Sequence, residues 1–314
     1  MGDWSLKVVF LLGTKRGFST LRAALEVGMD VCGVISLAQD GHEKERYESH
    51  IRSLAREFGV PVFETVNLKD RDYVSLLARD LKPDIGFIIG ARIMVPQKIY
   101  EVPRLGMFGA HDSLLPKYRG FAPLNWALIN GEKETGVSLF QIGDQMDAGD
   151  IFAQEKTEVG PNETAIEVYE RICQITARLV VNFYKNFTKG QLSGSAQNHQ
   201  LATYTCSRTP EDGLINWQDS SHRVHNFVRA LTDPYPGAFT YYKGEKITIL
   251  KSEISAQQRN YVGRIPGRVI ALETTGAVQV LTGDGALRLL KVRTEALANV
   301  LPTEIIRSVR ASLG

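Results

Sequence analysis

Residues 106–154 read GMFGAHDSLLPKYRGFAPLNWALINGEKETGVSLFQIGDQMDAGDIFAQ and concentrate the groups able to do chemistry. His111 leads them. An imidazole with an ordinary pKa of about 6.5 exchanges a proton near neutral pH, so it suits general acid–base work. Ser113-Leu114-Leu115-Pro116, Arg119-Gly120, Pro123, Trp126 and Thr135-Gly136-Val137 follow, and Asp147 stands two residues before Gly149. A carboxylate brought near an imidazole would orient the ring and favour its charged form. Taken singly, a histidine in such a chain is more often structural, and an aspartate just ahead of a glycine is usually a turn residue. The pattern as a whole must therefore carry any functional argument.

The elements that have to position these residues are readable on either side. Leu6–Leu12 is a short apolar run rich in branched residues, a helical pattern follows from Ser19 to Val27, and a second apolar run spans Val31–Ile35. Strand, helix and strand in some thirty residues make a βαβ unit, and strands that are continuously apolar predict a parallel sheet covered on both faces. The alternation continues: helix over Lys44–Phe58, strand over Val60–Phe63, helix near Asp70–Arg79, strand over Ile85–Ile89. This predicts a doubly wound, mostly parallel α/β domain of the Rossmann kind, with its site at the carboxyl ends of the strands. Gly13-Thr14-Lys15-Arg16-Gly17 fits neither the dinucleotide fingerprint nor the phosphate-loop pattern, which disfavours a dehydrogenase; it reads as a strand-to-helix turn.

A long helix is predicted over Thr164–Lys189. Residues 190–199 (GQLSGSAQNH) turn small and polar, as an exposed connector would. Beyond Leu214–Trp217 a helix fits His222–Leu231. Five short strand-like runs then occupy Ala238–Tyr242, Lys246–Ser252, Gly263–Ala271, Ala277–Leu281 and Ala286–Val292, which predicts a small β-barrel of the OB type. The expected organisation is a catalytic α/β domain over 1–190, a linker over 191–204, and a helix plus β-barrel domain over 205–314.

The chain has 314 residues, 43% hydrophobic and 23% charged, with a net charge of +2, which suits a globular protein and argues against a large nucleic-acid footprint. No apolar run approaches the roughly 18 residues of a membrane-spanning helix, and Lys7–Leu12 is too short for a signal peptide. Cys32, Cys173 and Cys206 are too scattered for a disulfide framework or a metal site. A soluble cytoplasmic protein is expected.

The stretch around His111 resembles the signature of the formyltransferase family, which includes methionyl-tRNA, glycinamide ribonucleotide and sugar N-formyltransferases. The resemblance covers nearly the whole chain. Arg208-Thr209-Pro210-Glu211-Asp212-Gly213, Ile215, Trp217 and residues 229–239 (RALTDPYPGAF) are most similar to the sugar N-formyltransferases acting on UDP-4-amino-4-deoxy-arabinose. The resemblance implies transfer of a formyl group from 10-formyltetrahydrofolate to an amine, with His111 and Asp147 as the catalytic pair. It implies folate contacts from Arg92, Met94, Leu114, Leu115, Gln141, Ile142 and Asp144. For a nucleotide-linked amino sugar as acceptor, Asp112, Arg119, Arg208 and Tyr235 are the expected contacts, Arg208 to a phosphate and Tyr235 to a base.

Methionyl-tRNA is the alternative acceptor, but residues 37–46 (LAQDGHEKER) are of mixed sign where the tRNA enzymes carry a basic insertion. The second domain is left with two roles, substrate binding or formation of a homodimer. One departure stands out. The family's third catalytic residue is an asparagine two positions before the histidine, where its amide meets the developing oxyanion; here that position is Gly109. Loss of one such donor typically costs roughly 100- to 1000-fold in rate. Three readings follow: a substitute donor (Asn125, Gln141 or a backbone N–H), a different transferred unit, or a folate- or nucleotide-binding homologue that has lost the activity.

Overall fold

The computed structural model describes residues 6–38, 45–69, 72–91, 93–191, 193–256 and 259–314. Its first strand, β1 (Val8–Leu12), is buried at all five positions. Helix α1 (Thr14–Glu26), strand β2 (Val31–Leu37), helix α2 (Glu48–Glu57) and strand β3 (Val62–Thr65) follow. The expected helix near Asp70–Arg79 is a three-residue turn, α3 (Tyr73–Ser75), capped by Asp72 and running into a wider π-type turn over Leu76–Leu81; Asp70 and Arg71 lie outside the described residues. Strand β4 (Ile85–Ile89), short helix α4 (Gln97–Tyr100) and strand β5 (Met107–His111) complete the parallel part.

Strand β6 (Arg119–Gly120), helix α5 (Pro123–Ile129), strands β7 (Glu134–Gln141) and β8 (Ile151–Glu158), helix α6 (Ala165–Phe187) and strand β9 (Tyr204–Thr205) come next. The main sheet runs β3-β2-β1-β4-β5-β7-β8. Its pairs from β3 to β5 are parallel, while β5 and β7 are antiparallel. The alternation of apolar strand and amphipathic helix is what drives this arrangement, because each strand must be covered on both faces. On one face Phe10, Phe87, Phe108, Val180 and Phe183 share a core, with the Phe108 and Phe183 rings 4.7 Å apart. This packing of α6 against the middle of the sheet fixes β5, the strand that ends on His111.

The chain divides into two compact units. The first takes the residues up to Pro123, Glu134–Thr157 and Tyr169–Thr205; the second takes Leu124–Lys133, Glu158–Val168 and Cys206–Gly314. Within the second, helix α7 (Ser221–Leu231) accompanies strands β10 (Ala238–Tyr242), β11 (Glu245–Ile254), β12 (Val269–Leu272), β13 (Val278–Leu281) and β14 (Ala286–Arg293), and helix α8 (Pro302–Ile305) follows. The five strands form one antiparallel sheet in the order β10-β11-β14-β13-β12. No helix among the described residues is long and apolar enough to cross a membrane.

Candidate active site

Strand β5 delivers His111 to the carboxyl end of the sheet, opposite Ser138 of β7. The imidazole is 8% exposed. Its Nε2 lies 2.7 Å from the carbonyl oxygen of Tyr118. A carbonyl only accepts, so the neutral ring carries its proton on Nε2 and presents a bare Nδ1. That Nδ1 faces Asp147 Oδ2 at 3.6 Å, too far for a hydrogen bond but close enough for strong electrostatic coupling. Asp147 Oδ2 is itself held by the backbone N–H of Gly120 at 2.8 Å.

Burial is the largest influence on His111 and pulls its pKa below the ordinary value. Asp147 and the Tyr118 carbonyl push in the opposite direction, and the positive charge of Arg16 adds to the lowering. The ring is therefore neutral at neutral pH. It is a base, and a proton arriving on Nδ1 would be met by a carboxylate.

The loop after His111 is held by side chains that the sequence does not advertise. Ser138 Oγ donates to the Ser113 carbonyl (2.7 Å) and accepts from Leu115 N–H (3.0 Å). Gln154 Nε2 donates to both Ser138 Oγ (2.7 Å) and the Leu115 carbonyl (3.0 Å). Tyr118 and Asp147, the two residues that touch His111, both sit in the left-handed region, with φ of +59° and +52°. Non-glycine residues pay of order 1–3 kcal/mol to stay there, so their surroundings must over-determine them. Gly149 completes the Asp147 turn, since any Cβ there would fall on the carbonyl oxygen of Gln141.

Gly109 lies in ordinary extended backbone, so nothing in the main chain demands glycine. Its side-chain space is occupied instead. A Cβ there would come within 2.8 Å of Ile142 Cδ1 and within 3.0 and 3.2 Å of the Phe140 ring. Apolar groups fill the place where an asparagine would project. Of the two side-chain donors named from the sequence as substitutes, Asn125 is buried and donates its amide to the Ala230 carbonyl at 2.8 Å within the second unit. Gln141 turns its side-chain nitrogen toward Gly106, at the opposite end of β5 from His111.

The remaining expected contacts separate. Asp112, largely buried, pairs with Arg16 of α1. Arg119 is 1% exposed, and its guanidinium meets Gln197, Tyr204 and His199. Protein groups surround this cation. Leu115 is buried and Leu114 packs over Gly136, while Ile142 leans on Gly109; Asp144 and Met94 are exposed. Arg92 lies outside the described residues, as do Gln39–Lys44 of the mixed-sign stretch. Arg208 belongs to the second unit, stacked over Trp126 (4.8 Å) and Phe227 (5.4 Å) and donating to the Asp212 carbonyl, and Tyr235 sits half-buried in the turn after α7.

Sequence reasoning missed Ser138, Gln154, Arg16 and Gln197. A serine inside the apolar run Val137–Phe140 is a usable signal, because a polar residue at a buried strand position must have a partner. Gln197 carries no such signal, standing among exposed polar neighbours.

A mostly parallel sheet thus ends on a buried histidine, with the aspartate loop beside it. A family model described as formyl transferase matches residues 6–183, more than half of the chain, and one described as formyl transferase, C-terminal domain, matches residues 208–310. The chain belongs to the formyl transferase family. Its fold is similar to that of WlaRD, a sugar 3N-formyltransferase solved with dTDP and 5-N-formyl-THF (TM-score 0.68, 18% identity, 94% of this chain and 99% of that one). It is similar to an N-formyltransferase from Helicobacter canadensis solved with folinic acid and dTDP-3-aminofucose (TM-score 0.65, 21% identity, 90% of this chain and 98% of that one). HypX from Aquifex aeolicus, solved with tetrahydrofolic acid, also matches (TM-score 0.64, 19% identity, 96% of this chain). This chain spans 47% of the length of HypX.

Proposed function

We propose that this protein transfers a formyl group from 10-formyltetrahydrofolate to the amine of a small acceptor, a nucleotide-linked amino sugar. The observation that carries the reading is the His111–Asp147 pair: a buried imidazole held neutral, its Nε2 proton fixed on Tyr118, its free Nδ1 turned to a carboxylate. Neutral His111 takes the proton that the attacking amine must lose, and Asp147 stabilises the imidazolium that results. Leu114, Leu115 and the backbone around Gln141–Asp144 would flank the folate. The sugar-formyltransferase neighbours and their dTDP ligands support the acceptor class, and the low net charge argues against tRNA.

A second reading has a specific observation behind it. The filled space at Gly109 favours a homologue in which the usual oxyanion donor has been given up, together with some or all of the rate. Release of tetrahydrofolate from 10-formyltetrahydrofolate, followed against a panel of dTDP- and UDP-linked amino sugars and methionyl-tRNA, separates the two. Turnover with a sugar nucleotide that falls by about 100- to 10,000-fold in His111→Ala supports transfer. Folate binding without release, for every acceptor, supports the second reading.

A further inference from the structure

Between the end of α6 and β9, one segment touches both Asp147 and Tyr118, the residue whose carbonyl receives His111 Nε2. Gln197 is 6% exposed in a stretch that is otherwise mostly open to solvent. Its Nε2 donates to two carbonyls of the aspartate turn, those of Asp147 (2.9 Å) and Gly149 (2.7 Å). Both amide hydrogens are thus spent on holding the loop that carries Asp147. Its Oε1 accepts from Arg119 Nε (3.2 Å) and Nη2 (2.7 Å).

The same segment reaches the histidine side. Thr203 Oγ1 accepts from Tyr118 N–H at 2.8 Å, fixing the residue whose carbonyl receives His111 Nε2. The Thr203 carbonyl accepts from Arg119 N–H (2.8 Å), and Thr205 Oγ1 donates to the Arg119 carbonyl (3.1 Å). Strands β6 and β9 pair here, Arg119 opposite Tyr204. The two left-handed residues, Tyr118 and Asp147, are therefore both pinned from residues 197–203.

Arg119 sharpens the point. Its guanidinium is fully buried, yet its partners among the described residues are Gln197, Tyr204 and His199, none of them a carboxylate. Burying a cation against neutral groups costs desolvation free energy that an apolar side chain would avoid. What its fixed fork does here is orient Gln197, whose Oε1 it holds with two N–H groups.

We propose that Gln197, braced by Arg119, is a positioning residue that sets the Asp147 turn against His111, and that residues 197–205 are a working strap of the site. This rests on the His111–Asp147 reading above. Displacing a reacting group by about 1 Å costs on the order of 100-fold, and loss of an orienting partner typically 10- to 100-fold.

The test uses two variants of the full chain. Gln197→Glu keeps the acceptor for Arg119, and adds a charge partner, but removes both N–H donors and sets a carboxylate against two carbonyls. It should remain folded at the assay temperature through its pairing with Arg119, with kcat down about 10- to 100-fold and KM for the folate little changed. Gln197→Met adds no charge and also releases the turn. Its His111 titration, followed by NMR, should move to lower pH, because Asp147 is what holds the ring's pKa up. Wild-type kcat in Gln197→Glu, or a His111 titration in Gln197→Met superimposable on wild type, would overturn the proposal. If wild-type protein itself transfers no formyl group, the functional reading falls, and the titration still decides the positioning.

Discussion

Restoring the family's asparagine at Gly109 should damage the protein before it helps. The Cβ alone would meet Ile142 Cδ1 at 2.8 Å and Phe140 ring atoms at 3.0 and 3.2 Å. Ile142 is partly exposed and its terminal methyl can swing aside; Phe140 is 3% exposed and packed in place. Overpacking of this kind costs about 1–3 kcal/mol. An amide forced among apolar groups without a partner adds about 1–3 kcal/mol. Replacing glycine in a strand returns roughly 0.5–1 kcal/mol. The net for Gly109→Asn is a loss of about 2–4 kcal/mol, which in a cooperative unit of this size lowers Tm by about 5–15 °C.

Thermal unfolding followed by circular dichroism measures it, with turnover assayed at a temperature where every variant is folded. Gly109→Asn combined with Ile142→Ala should recover a substantial part of the lost Tm, because it removes the nearest obstruction and leaves room for the amide. A single Gly109→Asn variant as stable as wild type would refute the reasoning, since it would mean the space is open after all. In the double variant, a rise in kcat toward about 100-fold would show that the wild-type site runs without this donor. An unchanged kcat would place the oxyanion contact elsewhere.

Two further outcomes follow from the titrating groups. Because burial lowers the pKa of His111, the base is fully available at pH 7; kcat/KM should be flat through neutrality and fall on acidification with a midpoint below about 6.5, and a midpoint above 7 would contradict a buried neutral imidazole. Glu273 in the second unit receives Arg288, Gln279 and Thr275, which hold its carboxyl down to about 2. A lowered folded-state pKa stabilises above the ordinary carboxylate range and is lost as pH falls toward 2. Glu273→Gln should therefore cost about 1–3 kcal/mol at pH 7 in chemical denaturation, with the gap to wild type closing toward pH 3; a gap independent of pH would assign the effect to packing.

The strands were legible where they are buried on both faces. Val8–Leu12 and Ile85–Ile89 are apolar without interruption, and no other element suits such runs at that length. The strand expected from Gly263 begins only at Val269, because Arg264 is drawn to the carbonyls of Thr282 and Gly285 and the chain there is a turn. Strands β6 and β9, two residues each, carry no periodicity at all. They exist because Arg119 N–H donates to the Thr203 carbonyl and Thr205 Oγ1 donates to the Arg119 carbonyl, across more than eighty residues of chain.

At the site, His111 and Asp147 were marked by a pattern of residue types, and the structure brings them within 3.6 Å. One support, Gln197, was invisible for a physical reason. Gln197 is polar among polar residues, and composition predicts exposure; its burial comes from four hydrogen bonds to distant partners, which no local window contains. Arg119 is the other half of the same arrangement. Arginine beside glycine in a signature suggests a ligand contact, while the guanidinium is turned inward to hold Gln197.

The strap also sets an order of events. During synthesis the chain emerges from its amino terminus and its parts fold as they become available. By the time the last residue of α6 is made, every strand of the main sheet exists, and so do His111 and Asp147. Gln197 and Thr203 do not. A nascent chain halted at residue 190 would own a complete sheet and both reacting side chains, yet lack the Gln197 and Thr203 hydrogen bonds to the Asp147 turn and Tyr118. Assembly of the scaffold and competence of the site are thus separate moments, and the second waits on a few polar residues that arrive after the fold is already drawn.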